Sequence, residues 1–164
     1  MDRHAFVERF GGVFEHSPWV AERGFDHLND RDRMNASTVH VALCQAFREA
    51  SRDERLAVLR AHPDLAGKLA IAGELTEASK AEQAGAGLDR LSAEEHARFT
   101  DLNDRYQRAF GFPFIIAVKG LDKTDILRAF ESRISNAEPE EFSTACAEVE
   151  KIALIRLQSL FPES

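Results

Sequence analysis

A chain of 164 residues, 44% hydrophobic and 30% charged, has the length of one domain with a real core and too much apolar surface to stay disordered. Its formal charge of −7, without a Lys/Arg cluster, argues against nucleic acid or an anionic membrane as a partner. No apolar run approaches a membrane span, Met1-Asp2-Arg3-His4 lacks the apolar stretch of a signal peptide, and the last four residues are not a peroxisomal address, so the expected location is cytoplasmic. Cys44 and Cys146 stand far apart in apolar helical patterns with no Cys-x-x-Cys, and read as buried free thiols of a reducing compartment.

Helical punctuation dominates the chain. Phe6 and Phe10 stand one turn apart before Gly11-Gly12 interrupts. Ser17-Pro18 predicts an N-cap followed by proline in the first turn, opening a helix through about Leu28. Residues 29–35 read as a charged, irregular link in which Arg31 and Arg33 alternate with aspartate. Ser37 predicts the start of a helix that repeats Val39, Leu43 and Phe47 in steps of four. Ser51 and Glu54 form a capping-box pattern, and Pro63 should end that helix near Ala61 or His62.

Thr76 can cap the next helix, which Gly85 and Gly87 should end. Ser92 with Glu95 is a second capping box. Its helix puts Phe99, Leu102, Tyr106 and Phe110 on one face and stops at Gly111. Residues 112–118 are strongly apolar, but Pro113 argues against a central strand, so a buried extended segment is expected. Thr124 is the expected cap of a helix with Ile126, Leu127, Phe130 and Ile134, and Pro139 opens a last helix to about Leu160. Seven or eight helices and no sheet predict an all-α, compact single-domain bundle over residues 1–164.

Several chemistries are missing from this pattern. There is no His-Glu-x-x-His, no Glu-x-x-His, no phosphate-cradling glycine loop and no Gly-x-Ser-x-Gly elbow. The expected chemistry therefore uses no metal and no nucleotide.

Four features carry a signal, each open to two readings. His62, in the run His62-Pro63-Asp64-Leu65-Ala66-Gly67-Lys68, is fixed by proline at a helix end; it suits a general base or acid, or simply a cation at a helix C-terminus. Ser79, Glu82 and Gln83 share one helix face, which can orient a polar ligand or face solvent. The segment Phe112-Pro113-Phe114-Ile115-Ile116-Ala117-Val118 cannot pair all its backbone groups within a helix, so it either offers amides to a ligand or packs as core. Arg156, among Ile152, Leu154, Ile155, Leu157 and Leu160, suggests an anion partner from protein or ligand, or else an outward-facing arginine.

In order along the chain, Phe10 to Trp19, His62 to Gly67, Ser79 to Leu88, Phe110 to Ile116 and Ile152 to Leu157 resemble the 2-oxo-4-hydroxy-4-carboxy-5-ureidoimidazoline (OHCU) decarboxylases. The resemblance implies a compact, all-helical, homodimeric enzyme without cofactors, acting on a small ureide on the way from urate to allantoin. It implies His62 and Glu82 as catalytic residues. It implies substrate binding by Pro63, Ser79, Gln83, Arg156 and the backbone of Phe114, Ile115, Ile116, Ala117 and Val118. Two rivals are a non-catalytic helical binding module and a different hydrolase or lyase acting on a ureide. His62, Glu82 and Arg156 together favour catalysis, because a bare binding module needs no base.

Overall fold

The computed structural model describes residues 1–29, 31, 33–67 and 73–162. Among them are eight helices and no strand: α1 (Arg3–Phe10), α2 (Trp19–Phe25), α3 (Ala36–Glu49), α4 (Arg52–Ala61), α5 (Glu77–Gly85), α6 (Ala93–Phe110), α7 (Lys123–Arg133) and α8 (Glu138–Leu160). The all-α expectation holds. The chain divides into two compact units, Met1–Ala61 with Val149–Ser164, and His62–Glu148. Helix α8 contributes its first half to the second unit and its remainder to the first.

The first unit is built on phenylalanine. The Phe6 ring lies 4.9 Å from Phe10 and 5.4 Å from Phe25, Phe10 stacks on Phe161 at 5.6 Å, and Phe14 meets Phe47 at 5.2 Å. Helices α2 and α3 approach at Gly24, where a Cβ would come within 2.6 Å of Leu43. Helix α2 is shorter than its pattern suggested. It ends at Phe25, and the chain reaches Leu28 through tighter bonds from Asp26, His27 and Leu28 to carbonyls three residues back.

The cap of α3 is Asn35, not Ser37. The Asn35 side chain accepts from the Thr38 N–H at 2.9 Å, and the Thr38 hydroxyl accepts from the Asn35 N–H at 3.1 Å. That reciprocal pair outcompetes a lone serine two residues later.

The second unit packs around Tyr106, whose ring is 4.5 Å from Phe110, 5.9 Å from Phe112, 5.4 Å from Phe114 and 5.8 Å from Phe130. Such pairs add roughly 0.5–1.5 kcal/mol each beyond the area they bury. Helix α6 starts at the expected Ser92–Glu95 box and stops where Gly111 turns left-handed at φ 78°, its N–H bonded to the Gln107 carbonyl. Helix α7 is capped by Asp122, not Thr124. Asp122 and Asp125 exchange side-chain bonds with each other's N–H at 2.9 and 3.2 Å, and Thr124 falls inside the first turn. Between α6 and α7, residues 113–118 are neither helix nor strand, as the proline required.

Candidate functional site

Helix α4 begins with the predicted box, Ser51 and Glu54 exchanging bonds at 3.1 Å, and ends at Ala61 because the residue before proline avoids helical geometry. His62 is therefore the first residue beyond the helix, and it is buried, 8% exposed. Four residues on, Ala66 is left-handed at φ 53°, a conformation that costs a side chain roughly 1–2 kcal/mol. The loop is held in it by two amide side chains. Gln83 Oε1 accepts from the Ala66 N–H at 2.9 Å and Gln83 Nε2 donates to the Asp64 carbonyl at 3.3 Å, while Asn103 Nδ2 donates to the Leu65 carbonyl at 2.9 Å. Three consecutive residues after His62-Pro63 are thus tied to α5 and α6. Lys68, at the end of the same run, lies outside the described residues.

Helix α5 starts at Thr76, whose hydroxyl accepts from the Ser79 N–H at 3.2 Å, as its position predicted. Ser79 and Gln83 are buried on its inner face and Glu82 is half-buried beside them. Gln83 joins this face to the His62 loop directly, so its amide already has a structural task. A cavity of about 340 Å³ opens at this join, lined by Ala66, Lys80, Gln83, Leu88 and His96 among others; Gln83 is the expected site residue that borders it.

The apolar segment is more polar in its dealings than its sequence suggests. Phe114, Ile115 and Val118 are buried and Ile116 and Ala117 half-buried. Its Ile115 carbonyl accepts from Arg133 Nη1 at 2.7 Å, and its Ala117 N–H donates to Glu148 Oε1 at 3.0 Å. The Val118 carbonyl accepts from Leu121 N–H at 2.9 Å.

Behind it, Glu141 is fully buried and collects three donors: the Tyr106 hydroxyl at 2.5 Å, Arg133 Nε at 3.0 Å and Asn136 Nδ2 at 3.0 Å. Burial, reinforced by the bond to Glu141, pushes the Tyr106 hydroxyl far above its ordinary pKa.

Arg156 belongs to the first unit and is buried, which disposes of the outward-facing reading. Its Nη2 pairs with Glu15 Oε2 at 3.2 Å, side chains 8% and 2% exposed, and its Nη1 reaches the Gly12 and Val13 carbonyls at 3.4 Å. One anion partner foreseen for it is thus protein. Among the described residues no three His, Cys, Asp or Glu side chains gather as a metal site, and no helix is long and apolar enough to cross a membrane.

Sequence reasoning passed over Glu15, Asn103, Arg133, Glu141 and Glu148. A faint signal existed for three of them. Asn103 sits one turn after Phe99 on the apolar face of α6, and Glu141 and Glu148 recur at seven residues in α8 beside Phe142, Ala145 and Val149.

A sequence model described as OHCU decarboxylase matches residues 1–158. The chain is 43% identical over 161 residues to the 2-oxo-4-hydroxy-4-carboxy-5-ureidoimidazoline decarboxylase of Haloferax volcanii, covering 98% of this chain and 92% of that one. It is 36% identical over 166 residues to the protein of the same name from Xenopus laevis, covering 98% and 90%. It superimposes on a crystal structure of (S)-allantoin synthase with a TM-score of 0.78 at 30% identity, covering 98% of this chain and 51% of the other. The match runs through every segment that carried the resemblance, and the chain belongs to the OHCU decarboxylase family.

Proposed function

We propose that His62 and Glu82 carry the proton transfers by which this chain, as a decarboxylase of urate breakdown, converts 2-oxo-4-hydroxy-4-carboxy-5-ureidoimidazoline to (S)-allantoin. The observation that carries the reading is the family match across residues 1–158, which includes the buried histidine that Pro63 fixes at the end of α4. One domain over residues 1–164 is the corresponding reading of the chain.

The substrate bears a carboxylate and a hydroxyl on one ring carbon, beside a carbon–nitrogen double bond. When the carboxylate bond breaks, its electron pair forms a double bond to the neighbouring ureido-bearing carbon, and the C=N pair moves onto nitrogen. That nitrogen takes up a proton, a second proton adds to one face of the ureido-bearing carbon, and the hydroxyl loses its own and becomes the carbonyl. The net change is loss of CO₂ and uptake of one proton from solution. No cofactor is required, because the substrate supplies the electron sink. His62 is suited to take the hydroxyl proton and to deliver one to carbon, which fixes the stereochemistry. Glu82 orients the imidazole or accepts from substrate N–H groups. Pro63, Ser79, Gln83 and the backbone of Phe114 to Val118 hold the ring and the ureide. To Arg156 we assign a grip on a substrate oxygen through its planar fork, in competition with its bond to Glu15.

The test is direct. The unstable substrate is generated from urate with the two upstream enzymes, this protein is added, and allantoin is followed by circular dichroism. Accelerated formation of one enantiomer supports the reading; an unchanged, racemic time course sinks it.

A homodimer in the cytoplasm completes the proposal. Exposed Met34, Val41 and Leu160 offer apolar contact area in the first unit, and the free thiols Cys44 and Cys146 suit a reducing compartment. Sedimentation at micromolar protein should give twice the 18.4 kDa chain mass; a monomer would contradict it.

A further inference from the structure

In an extended chain, backbone groups of residues two apart face the same way and those of the residue between face the opposite way. The segment after α6 therefore has two edges. One is occupied by side chains, Arg133 on the Ile115 carbonyl and Glu148 on the Ala117 N–H. The other belongs to Ile116, half-buried between them. Neither its N–H nor its carbonyl has a hydrogen-bond partner among the described residues.

The occupied edge is anchored more firmly than packing alone requires. The Arg133 side chain is 12% exposed and pairs with fully buried Glu141. Its guanidinium also lies 4.4 Å from the centroid of the Phe114 ring, which stacks on Phe130 at 4.0 Å and 7°. A buried ion pair is a poor source of stability, because desolvation offsets most of the attraction, and apolar residues of the same volume do as well. What the pair supplies is direction. A planar guanidinium, fixed by Glu141 and stacked on Phe114, aims one N–H at one carbonyl.

We propose that Arg133 and Glu148 are positioning residues for the decarboxylation. They hold the Ile115 carbonyl and the Ala117 N–H so that Ile116 presents its own N–H and carbonyl to the ureide, which carries a matching carbonyl and N–H. The inference rests on the decarboxylase reading above and gives neither residue a contact with substrate.

The test compares wild type with Glu148→Ala, Glu148→Gln and Arg133→Lys in three readouts: amide hydrogen exchange at Ile116 and Ala117, KM against kcat in the coupled allantoin assay, and melting temperature. Glu148→Ala should speed exchange at Ala117 and raise KM roughly tenfold, with a smaller change in kcat, since lost alignment weakens about one hydrogen bond to substrate. Glu148→Gln keeps an acceptor oxygen and should recover most of both. Arg133→Lys keeps a charge for Glu141 but loses the fork, and should raise KM; if it fails to fold, the Glu148 pair decides. Faster exchange at Ala117 with an unchanged KM overturns the proposal. So does a glutamine variant no better than alanine, or a loss of rate that only tracks the loss of folded protein. A wild type without turnover would instead refute the decarboxylase reading, an outcome distinct from active variants that match an active wild type.

Discussion

Replacing Arg156 with methionine keeps most of the apolar stem and removes the fork, leaving Glu15 in a site where its side chain is 2% exposed. Breaking a buried pair from one side costs about 3–5 kcal/mol, because the remaining buried charge has lost an opposite charge. In a chain of 164 residues each kcal/mol moves the melting temperature by roughly 2–4 °C, so Arg156→Met should melt roughly 6–20 °C below wild type. Adding Glu15→Gln removes the charge that Arg156 had faced and should restore most of that loss. The double variant then separates the two roles of the arginine. Measured by calorimetry and by the allantoin assay at a temperature where both proteins are folded, it should be stable yet slow if Arg156 also grips substrate. Stable and fully active, it would leave Arg156 as an ion-pair partner alone. An Arg156→Met protein melting within about 2 °C of wild type would refute the stability argument, as would a double variant no more stable than the single one.

Glu54 is held at about 2 rather than 4.5, first by its bond to Arg23 and then by the Ser51 N–H; a depressed folded pKa stabilises above pH 4.5 and loses that contribution as pH falls towards 2. Wild type should therefore melt above Glu54→Gln at neutral pH, and the gap should close across that window; a gap independent of pH would contradict it. Burial, and then the charge of Glu150, push the Cys44 thiol up to about 12, so at pH 8 roughly one molecule in ten thousand carries the thiolate. Cys44 should resist a thiol reagent until the protein unfolds, and labelling of native protein within minutes would overturn this. Exhaustive chelation should leave decarboxylation intact; loss of activity with recovery on adding zinc or iron would refute a metal-free mechanism.

What could be read from the sequence was local. The boxes at Ser51 and Ser92 and the cap at Thr76 join residues three apart, so their partners are visible in the pattern. Asn35 and Asp122 were missed because other cap-forming residues stand within two positions; the deciding feature is the residue three further on that returns the bond. The buried polar groups were hidden for a different reason. Arg156 meets Glu15 across 141 residues of chain, and Asn103 meets Leu65 across 38, whereas periodicity reports only which face of a helix is apolar. The arginine was legible as a charge in an apolar setting, open to an anion partner or to solvent, but not as the partner of Glu15. Gln83 was legible only as part of a polar helix face that could turn to a ligand or to solvent; that it holds the His62 loop depends on a left-handed Ala66, which no pattern announces.

The measurement closest to the central claim is the allantoin assay on His62→Asn beside wild type, with Glu82→Gln and the double variant in the same series. Removing a proton-transfer group costs roughly 10²–10⁴-fold, and two groups acting as a unit are not additive. The account predicts a loss of that size for His62→Asn, a smaller one for Glu82→Gln, and a double variant barely slower than His62→Asn alone. Fully additive losses would give the two residues separate tasks, and near-wild-type turnover in a folded His62→Asn protein would contradict the mechanism.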